Sequence, residues 1–489
     1  MAKMSHPKGL AYLFLSEMWE RFCYYGMRGL LVLYLIDILR KGDSEAFAIY
    51  GAYTALVYAA PVLGGKIADT ILGYRKAIVL GGILMAIGEF FILGASEAWL
   101  YLGMGTIIVG NGYFKANISS IVGKLYGDND PRRDSGFTIF YIGINVGALL
   151  ATTIVAEVGL KLGYHYGFGL AGLGMIAGIF IFMSGKKNYL EISSPPNPEK
   201  LKQKLVGPLN QFHLVVIGSL AVIPVLYFVL MYNQVVGYLL VATAIYMLGF
   251  LIIHAFKGDK ILRDRLIIFI LLMIFNIVFW ACFEQAGSSL TLFAQRNVNR
   301  VVLGWEMGAA TTQFFNPAFI LIFGSLFSMM WIKLSAINKN PNIPAKFGLG
   351  IIQLGLGYLV VIIGNLFATD SLVPLLTLVF LYMLHTTGEL FLSPIGLSMV
   401  TKLAPKNMTG TLMGAWFLSL SASMYVAALL AKLTGSGEGG GGTDHVVDKV
   451  DSLAGYVSVY GKMGLITVGI GLFLLIISKP LNKMMHGIK

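Results

Sequence analysis

The sequence predicts an all-α integral membrane protein with fourteen transmembrane helices. Three observations carry that prediction. Of 489 residues, 57% are hydrophobic and only 12% charged, whereas a soluble protein carries about a quarter charged residues. The mean hydropathy is +0.76. The apolar residues fall into fourteen runs near the length of about 20 residues that crosses a bilayer, and the connectors alternate between cation-rich and cation-poor.

In chain order the runs are 10–38, 47–71, 77–95, 98–123, 136–160, 166–185, 212–231, 235–256, 266–293, 310–333, 347–367, 372–400, 409–431 and 455–478. Ahead of the first lies a short basic stub, "MAKMSHPKG", with no small-residue cleavage site, so no cleaved signal peptide is expected. Most connectors are short. Longer ones are the polar stretch 193–204, the segment 294–309 and the loop 434–452. The glycine run 439–442 in that loop reads as a flexible linker; no Lys follows it, which argues against a phosphate cradle. Cys23 and Cys282 both lie in apolar runs and are expected as small buried hydrophobes, not as a disulfide.

Lys and Arg set the orientation. With the N-terminus inside, 25 of the 36 cations fall in inside connectors and termini, seven outside, and four within spans: Arg21, Arg28, Lys115 and Lys462. That bias predicts a multi-pass protein with both termini cytoplasmic. It also accounts for the net charge of +12, so a nucleic-acid partner is not needed.

The turn between the second and third runs reads "GGKIADTILGYRK", Gly64 to Lys76. An acid at a helix end, Asp69, and a base past a glycine turn, Arg75, can latch a helix pair; the plain alternative is an ordinary positive-inside loop. Gly65, Asp69, Gly73, Arg75 and Lys76 resemble the loop signature of the major facilitator superfamily. The resemblance implies two six-helix bundles around a central cavity. Fourteen spans then divide into an N-terminal bundle (1–190), a linker with an inserted transmembrane hairpin (191–262) and a C-terminal bundle (263–489). The matching place in the second half, "MMWIKLSAINKN", keeps little of the signature.

The first run carries the densest intramembrane charge, "SEMWERFCYYGMRG", residues 16–29. At about 100° per residue, Glu17, Arg21, Tyr24 and Arg28 share one stripe about 60° wide, with Glu20 at its edge. Each charge at mid-bilayer costs roughly 2.5–3.5 kcal/mol, so the stripe should face a wet cavity or partner charges. A Glu17–Arg21 staple at i,i+4 explains one pair and leaves Glu20 and Arg28 without a role. Elsewhere, Lys115 sits in the fourth span, Glu284 in the ninth and Glu389 in the twelfth, the last followed by Pro394 and Gly396, which should loosen the helix. Since the first and ninth spans open the two halves, the pseudo-repeat places Arg28 and Glu284 across one cavity, as a pair that could make and break. Glu89 reads better as a buried structural acid, and His385 as a helix-packing histidine.

Glu17-x-x-Glu20-Arg21-Phe22-x-Tyr24-Tyr25-Gly26 matches in full the ExxERFxYYG motif of the proton-coupled oligopeptide transporters, and "FYIGINVG", Phe140 to Gly147, matches their FYxxINxG signature. "FKANIS" around Lys115, "FEQAGSSL" around Glu284, "NPAFI" with Asn316 and "GELFLSPIGLSMVTKLAP" around Glu389 are similar to family positions. The inserted hairpin resembles that of bacterial members. The resemblance implies a symporter importing di- and tripeptides with protons across the bacterial cytoplasmic (inner) membrane, expected to be a monomer, with no cofactor or metal beyond the coupling proton. It implies that Arg28 and Lys115 hold the peptide carboxylate with Tyr24 and Tyr25 nearby, and that Glu389 meets the α-amino group. Asn145 and Asn316 would bond the peptide's amide or amine, and Tyr58, Trp280 and Trp416 would line side-chain pockets. The proton-responsive acids would be Glu17, Glu20 and Glu284 with Arg21, Glu17 pairing Lys115 and Glu284 pairing Arg28.

Residue chemistry agrees independently, since a zwitterion needs cations on one wall and an acid on the other, and Arg suits a planar carboxylate. The second span contains no histidine, so coupling should rest on carboxylates. No Lys is followed by Ser or Thr, which excludes a Walker A loop and an ATP-driven pump. A channel would want rings of one sign. An enzyme is not expected, because the seven histidines (His6, His165, His213, His254, His385, His445 and His486) are dispersed. The runner-up is a transporter of nitrate or another small anion on the same fold. The stripe alone would serve an anion, but Glu389 argues for an amine as well.

Overall fold

The computed structural model describes residues 5–127, 130, 132–405, 408–435 and 448–487. The glycine run 439–442 and the side chain of Pro394 lie outside the described residues. Among the described residues, fourteen helical rods follow one another: α1 (Gly9–Asp37), α2 (Asp43–Leu72), α3 (Tyr74–Ile92), α4 (Glu97–Lys124), α5 (Arg133–Lys161), α6 (Tyr164–Ser184) and α7 (Gln211–Met231). Then come α8 (Gln234–Lys257), α9 (Lys260–Asn297), α10 (Ala310–Ala336), α11 (Ile343–Asn365), α12 (Leu375–Leu403), α13 (Thr409–Lys432) and α14 (Lys449–Met484). Each rod coincides with one predicted span. Eleven satisfy membrane-span criteria on length and composition alone, and α1, α3 and α4 fall outside that set. Those three carry the charged stripe, Glu89, Asn111 and Lys115, the intramembrane polar residues that lower their apolar character.

Two compact units emerge. The first comprises Met1–Tyr34 and Leu56–Asn233, the second Leu35–Ala55 and Gln234–Lys489. Without a hydrophobic drive between helices in lipid, close backbone approach through small residues does the packing work. In the first unit a Cβ added to Gly88 of α3 would lie 2.7 Å from the Gly103 carbonyl oxygen of α4. In the second, a Cβ on Gly355 of α11 would lie 2.8 Å from the Gly464 oxygen of α14. Ala68, Leu72, Ala77, Leu84, Tyr113 and Ile223 form a buried cluster where α2, α3, α4 and α7 meet.

Three details bear on the sequence expectations. The run expected as one span at 266–293 is interrupted: α9 is helical over Lys260–Phe283, tightens to a 3-10 turn at Glu284–Gly287, and resumes over Ser289–Asn297. Gly287 with Ser288 and Ser289 makes a weak helical segment. The carbonyls freed there are met by side chains, as broken helices in lipid require. The Tyr358 hydroxyl donates to Cys282 O, Gln285 Nε2 to Ala281 O at 3.0 Å and to Ala427 O at 2.8 Å, and Thr291 Oγ1 to Ala286 O at 2.7 Å. The expected loosening after Glu389 is not visible in the backbone, which is one helix from Leu375 to Leu403. Finally, the connector 298–306 folds into a small hairpin, Val301–Val302 against Trp305–Glu306.

Leu35–Ala55, the ends of α1 and α2, cluster with the second unit. Arg296 at the end of α9 grips Asp43 with two bonds of 2.6 and 2.8 Å. Ser421 Oγ donates to Ala55 O at 2.7 Å, and a Cβ on Gly51 would strike that of Ala428.

Candidate functional site

In the first unit the stripe on α1 is buried almost entirely. Glu20 is 0% exposed, Glu17 2%, Arg21 3% and Arg28 6%. Arg21 Nε lies 2.8 Å from Glu17 Oε1 and 2.7 Å from Glu20 Oε2, so the i,i+4 staple forms and reaches one carboxylate further. Glu20, at the edge of the wheel, is also bonded by Asn111 Nδ2 of α4 at 3.0 Å. Two carboxylates around one guanidinium bring a second acid beside α4, the helix that carries Lys115.

The cations share one further arrangement. Arg21 lies over the Tyr24 ring at 5.8 Å, Arg28 over Tyr25 at 5.6 Å and Lys115 over Tyr58 at 3.9 Å. Tyr24 and Tyr25 meet edge to face at 5.3 Å. A ring face stabilises a cation without neutralising it. Asn145 on α5 is buried and its amide donates to the Tyr141 carbonyl at 2.9 Å. The second signature motif has a packing reason as well: a Cβ on Gly147 would strike the Met18 oxygen, so only glycine lets α5 reach the stripe.

In the second unit Asn316 on α10 donates from Nδ2 to Glu389 Oε2 at 3.0 Å and to Thr386 Oγ1 at 3.1 Å. Glu389 is 7% exposed and Glu284, at the break in α9, 3%. The two predicted side-chain-pocket tryptophans of this unit are aromatic neighbours of different rings. Trp280 packs edge to face on Phe279 at 5.4 Å and on Phe283 at 5.2 Å, while Trp416 faces Phe269 at 6.3 Å and abuts Gly396. His385 is 1% exposed against Tyr358 at 4.7 Å, a packing histidine.

At the turn after α2, Gly73 takes a left-handed φ of 70°, as the glycine position of the motif demands. Asp69 accepts from the Tyr74 hydroxyl at 2.7 Å, and the Arg75 amide donates to Ser193 O at 3.1 Å. Sequence reasoning passed over four contributors: Asn111, Thr386, Gln285 and the Asp43–Arg296 clasp. Asn111 stands four residues before Lys115, hence on the same helical face, and could have been found that way. The clasp joins residues 253 apart and leaves no local signal.

Charges this deep in a helical membrane protein serve the movement of a solute or a proton. The class is a secondary transporter of the major facilitator fold, two six-helix bundles with an inserted hairpin. The family model described as POT family matches residues 75–446. A "Dipeptide and tripeptide permease B" of Xenorhabdus bovienii is 33% identical, with 98% of this chain and 96% of that protein covered. An "Uncharacterized transporter YclF" of Bacillus subtilis is 35% identical over 99% of this chain and 96% of its own. A crystal structure of peptide transporter POT in complex with sulfate superposes with a TM-score of 0.81 at 34% identity, covering 100% of this chain and 97% of that one. The chain belongs to the POT family.

Proposed function

We propose that this chain is a proton-coupled symporter that imports di- and tripeptides across the bacterial cytoplasmic membrane by alternating access, as a monomer with both termini inside. The observation that carries the reading is the division of charge between the units: cations resting on tyrosine faces in the first, a carboxyl held by an asparagine in the second. A peptide zwitterion matches that division, its carboxylate going to Arg28 and Lys115 and its ammonium to Glu389. Asn145 and Asn316 bond the peptide's amide or amine, with Tyr24, Tyr25, Tyr58, Trp280 and Trp416 around the side chains.

Coupling rests on the acids. A proton on Glu17, Glu20 or Glu284 weakens the hold on a paired cation, which then takes the peptide carboxylate; loss of the proton reverses the exchange. Arg21 keeps Glu17 and Glu20 in one responsive set, and Arg28 and Glu284 make and break their pair as the cavity alternates. Asp69 and Arg75 steady the turn after α2. The proton is the only coupling species, and no cofactor takes part. The 25-to-7 cation bias supports the orientation. An inorganic anion would leave the Asn316–Glu389 pair without a task, and the relatives named as dipeptide and tripeptide permeases favour peptides.

The test is uptake into proteoliposomes with an imposed pH gradient, comparing dialanine, trialanine and nitrate. Gradient-driven accumulation of both peptides, and not of nitrate, is expected. Nitrate uptake without peptide uptake overturns the reading.

A further inference from the structure

We infer that a cleft at the loop end of the first unit is a binding site for the phosphate headgroup of an anionic phospholipid. The open cleft spans about 900 Å³ between Tyr74 of α3, Lys124 of α4, Arg133 and Phe137 of α5, and the segment 191–196 that follows α6. Its wall is built in advance. A Cβ on Gly73 would lie 2.5 Å from both Pro195 N and the Ser194 carbonyl carbon, and the Arg75 amide bonds Ser193 O. The 191–196 segment is thereby pressed onto the turn after α2 and cannot fall into the cleft.

The cations suit a phosphate. Lys124 Nζ lies 4.5 Å from the centre of the Tyr74 ring, which fixes the ammonium while leaving its three N–H groups to donate. Arg133 is half-buried, its amide bonds Asp130 O at 3.0 Å, and among the described residues its guanidinium has no hydrogen-bond or ion-pair partner, a planar fork suited to a phosphate. Glu191 is the single acid of the lining, leaving an excess of one positive charge. Beside these cations, Phe137 (37% exposed), Ile192 and Pro195 offer an apolar flank that a free phosphate would not use and a glycerol backbone with its acyl chains would. The cleft sits where α3 and α5 begin and α4 ends, beside the connectors, and basic pockets at headgroup depth on the cytoplasmic side take acidic lipid headgroups. Its sidedness rests on the orientation proposed above; its chemistry does not.

The test is native mass spectrometry of the full chain released from nanodiscs of mixed phosphatidylglycerol and phosphatidylcholine. Wild type should retain phosphatidylglycerol preferentially. Lys124→Gln with Arg133→Gln should reduce that retention about thirtyfold, the worth of two cations at a membrane surface. Lys124→Arg with Arg133→Lys, which keeps both charges, should hold it. Peptide uptake by the Gln pair should stay at the wild-type level in neutral liposomes, separating this site from the transport site. Equal retention of the two lipids, or undiminished retention in the Gln pair, overturns the proposal. Displacement of the lipid by excess inorganic phosphate also overturns it, in favour of a soluble anion.

Discussion

Asp43 and Arg296 make the sharpest quantitative test in the second unit. Their two bonds of 2.6 and 2.8 Å are bidentate and charge-assisted, and the side chains are only 14% and 20% exposed. A fully exposed pair would contribute about 0–1 kcal/mol. Charges about 4 Å apart at an effective dielectric near 20 attract by about 4 kcal/mol, before desolvation takes its share. Between these limits we expect a coupling energy of about 2 kcal/mol, or about thirtyfold in an equilibrium constant. The equilibrium in question is local release of residues 35–55 from the rest of that unit. Ser421→Cys reports it, because Ser421 is buried and bonded to Ala55, while the native Cys23 and Cys282 are also buried. Labelling of this cysteine by an impermeant maleimide should speed up about thirtyfold in Asp43→Asn and in Arg296→Gln. The double variant should label no faster than either, and exchanging the residues (Asp43→Arg with Arg296→Asp) should restore slow labelling. Additive single effects, or no recovery on exchange, would refute the clasp as the element holding this cluster.

The other predictions concern the first unit and the coupling acids. Glu17→Gln and Glu284→Gln should abolish pH-gradient-driven accumulation but retain counterflow exchange; full gradient-driven uptake in either removes the coupling role. Arg28→Ala should lose binding of peptides with a free carboxylate while binding of amidated peptides falls far less, and wild-type affinity in a competition assay would sink the clamp. Asn111→Ala strips Glu20 of its amide donor and should destabilise the fold by about 1–3 kcal/mol, read as a lowered Tm; an unchanged Tm means that bond contributes nothing. In the connector after α4, the Arg132 guanidinium beside Asp130 holds its carboxyl down at about 2. A depressed folded pKa gives stability that is present above the unfolded value of about 3.9 and lost as pH falls through about 2. A carboxyl titration midpoint near 4 by NMR would show that the pair does not form.

The helices were legible because membrane spans obey one constraint, an apolar run of fixed length with its backbone bonds satisfied inside it. Where the structure departs from the sequence reading, that constraint is met by partners remote in the chain. The break in α9 is the clearest case: Glu284 to Gly287 leaves the helix because Tyr358, 76 residues on, and Gln285 supply the missing bonds. Apolar counting sees a continuous span there, since hydropathy records composition and not which carbonyl is met by which side chain. The clustering of Leu35–Ala55 with the second unit was hidden for the same reason. Its contacts, Asp43 to Arg296 and Ala55 to Ser421, are made between residues hundreds of positions apart.

Glu20 shows where a helical wheel stops. Wheel geometry set it at the edge of the stripe, about 60° from Glu17, which left its role to family resemblance. Yet it is the most buried of the four charges and the best held, by Arg21 at 2.7 Å and Asn111 at 3.0 Å. A wheel assigns faces as if a helix had one buried side, whereas α1 in a bundle is buried on several. An edge position on such a helix lies in the seam between two neighbours, where a second helix can bring a partner. Asn111 does so from α4, and Lys115 follows one turn later on the same face. Glu20 therefore ties the acids of α1 to the helix that carries one of the two proposed carboxylate-binding cations.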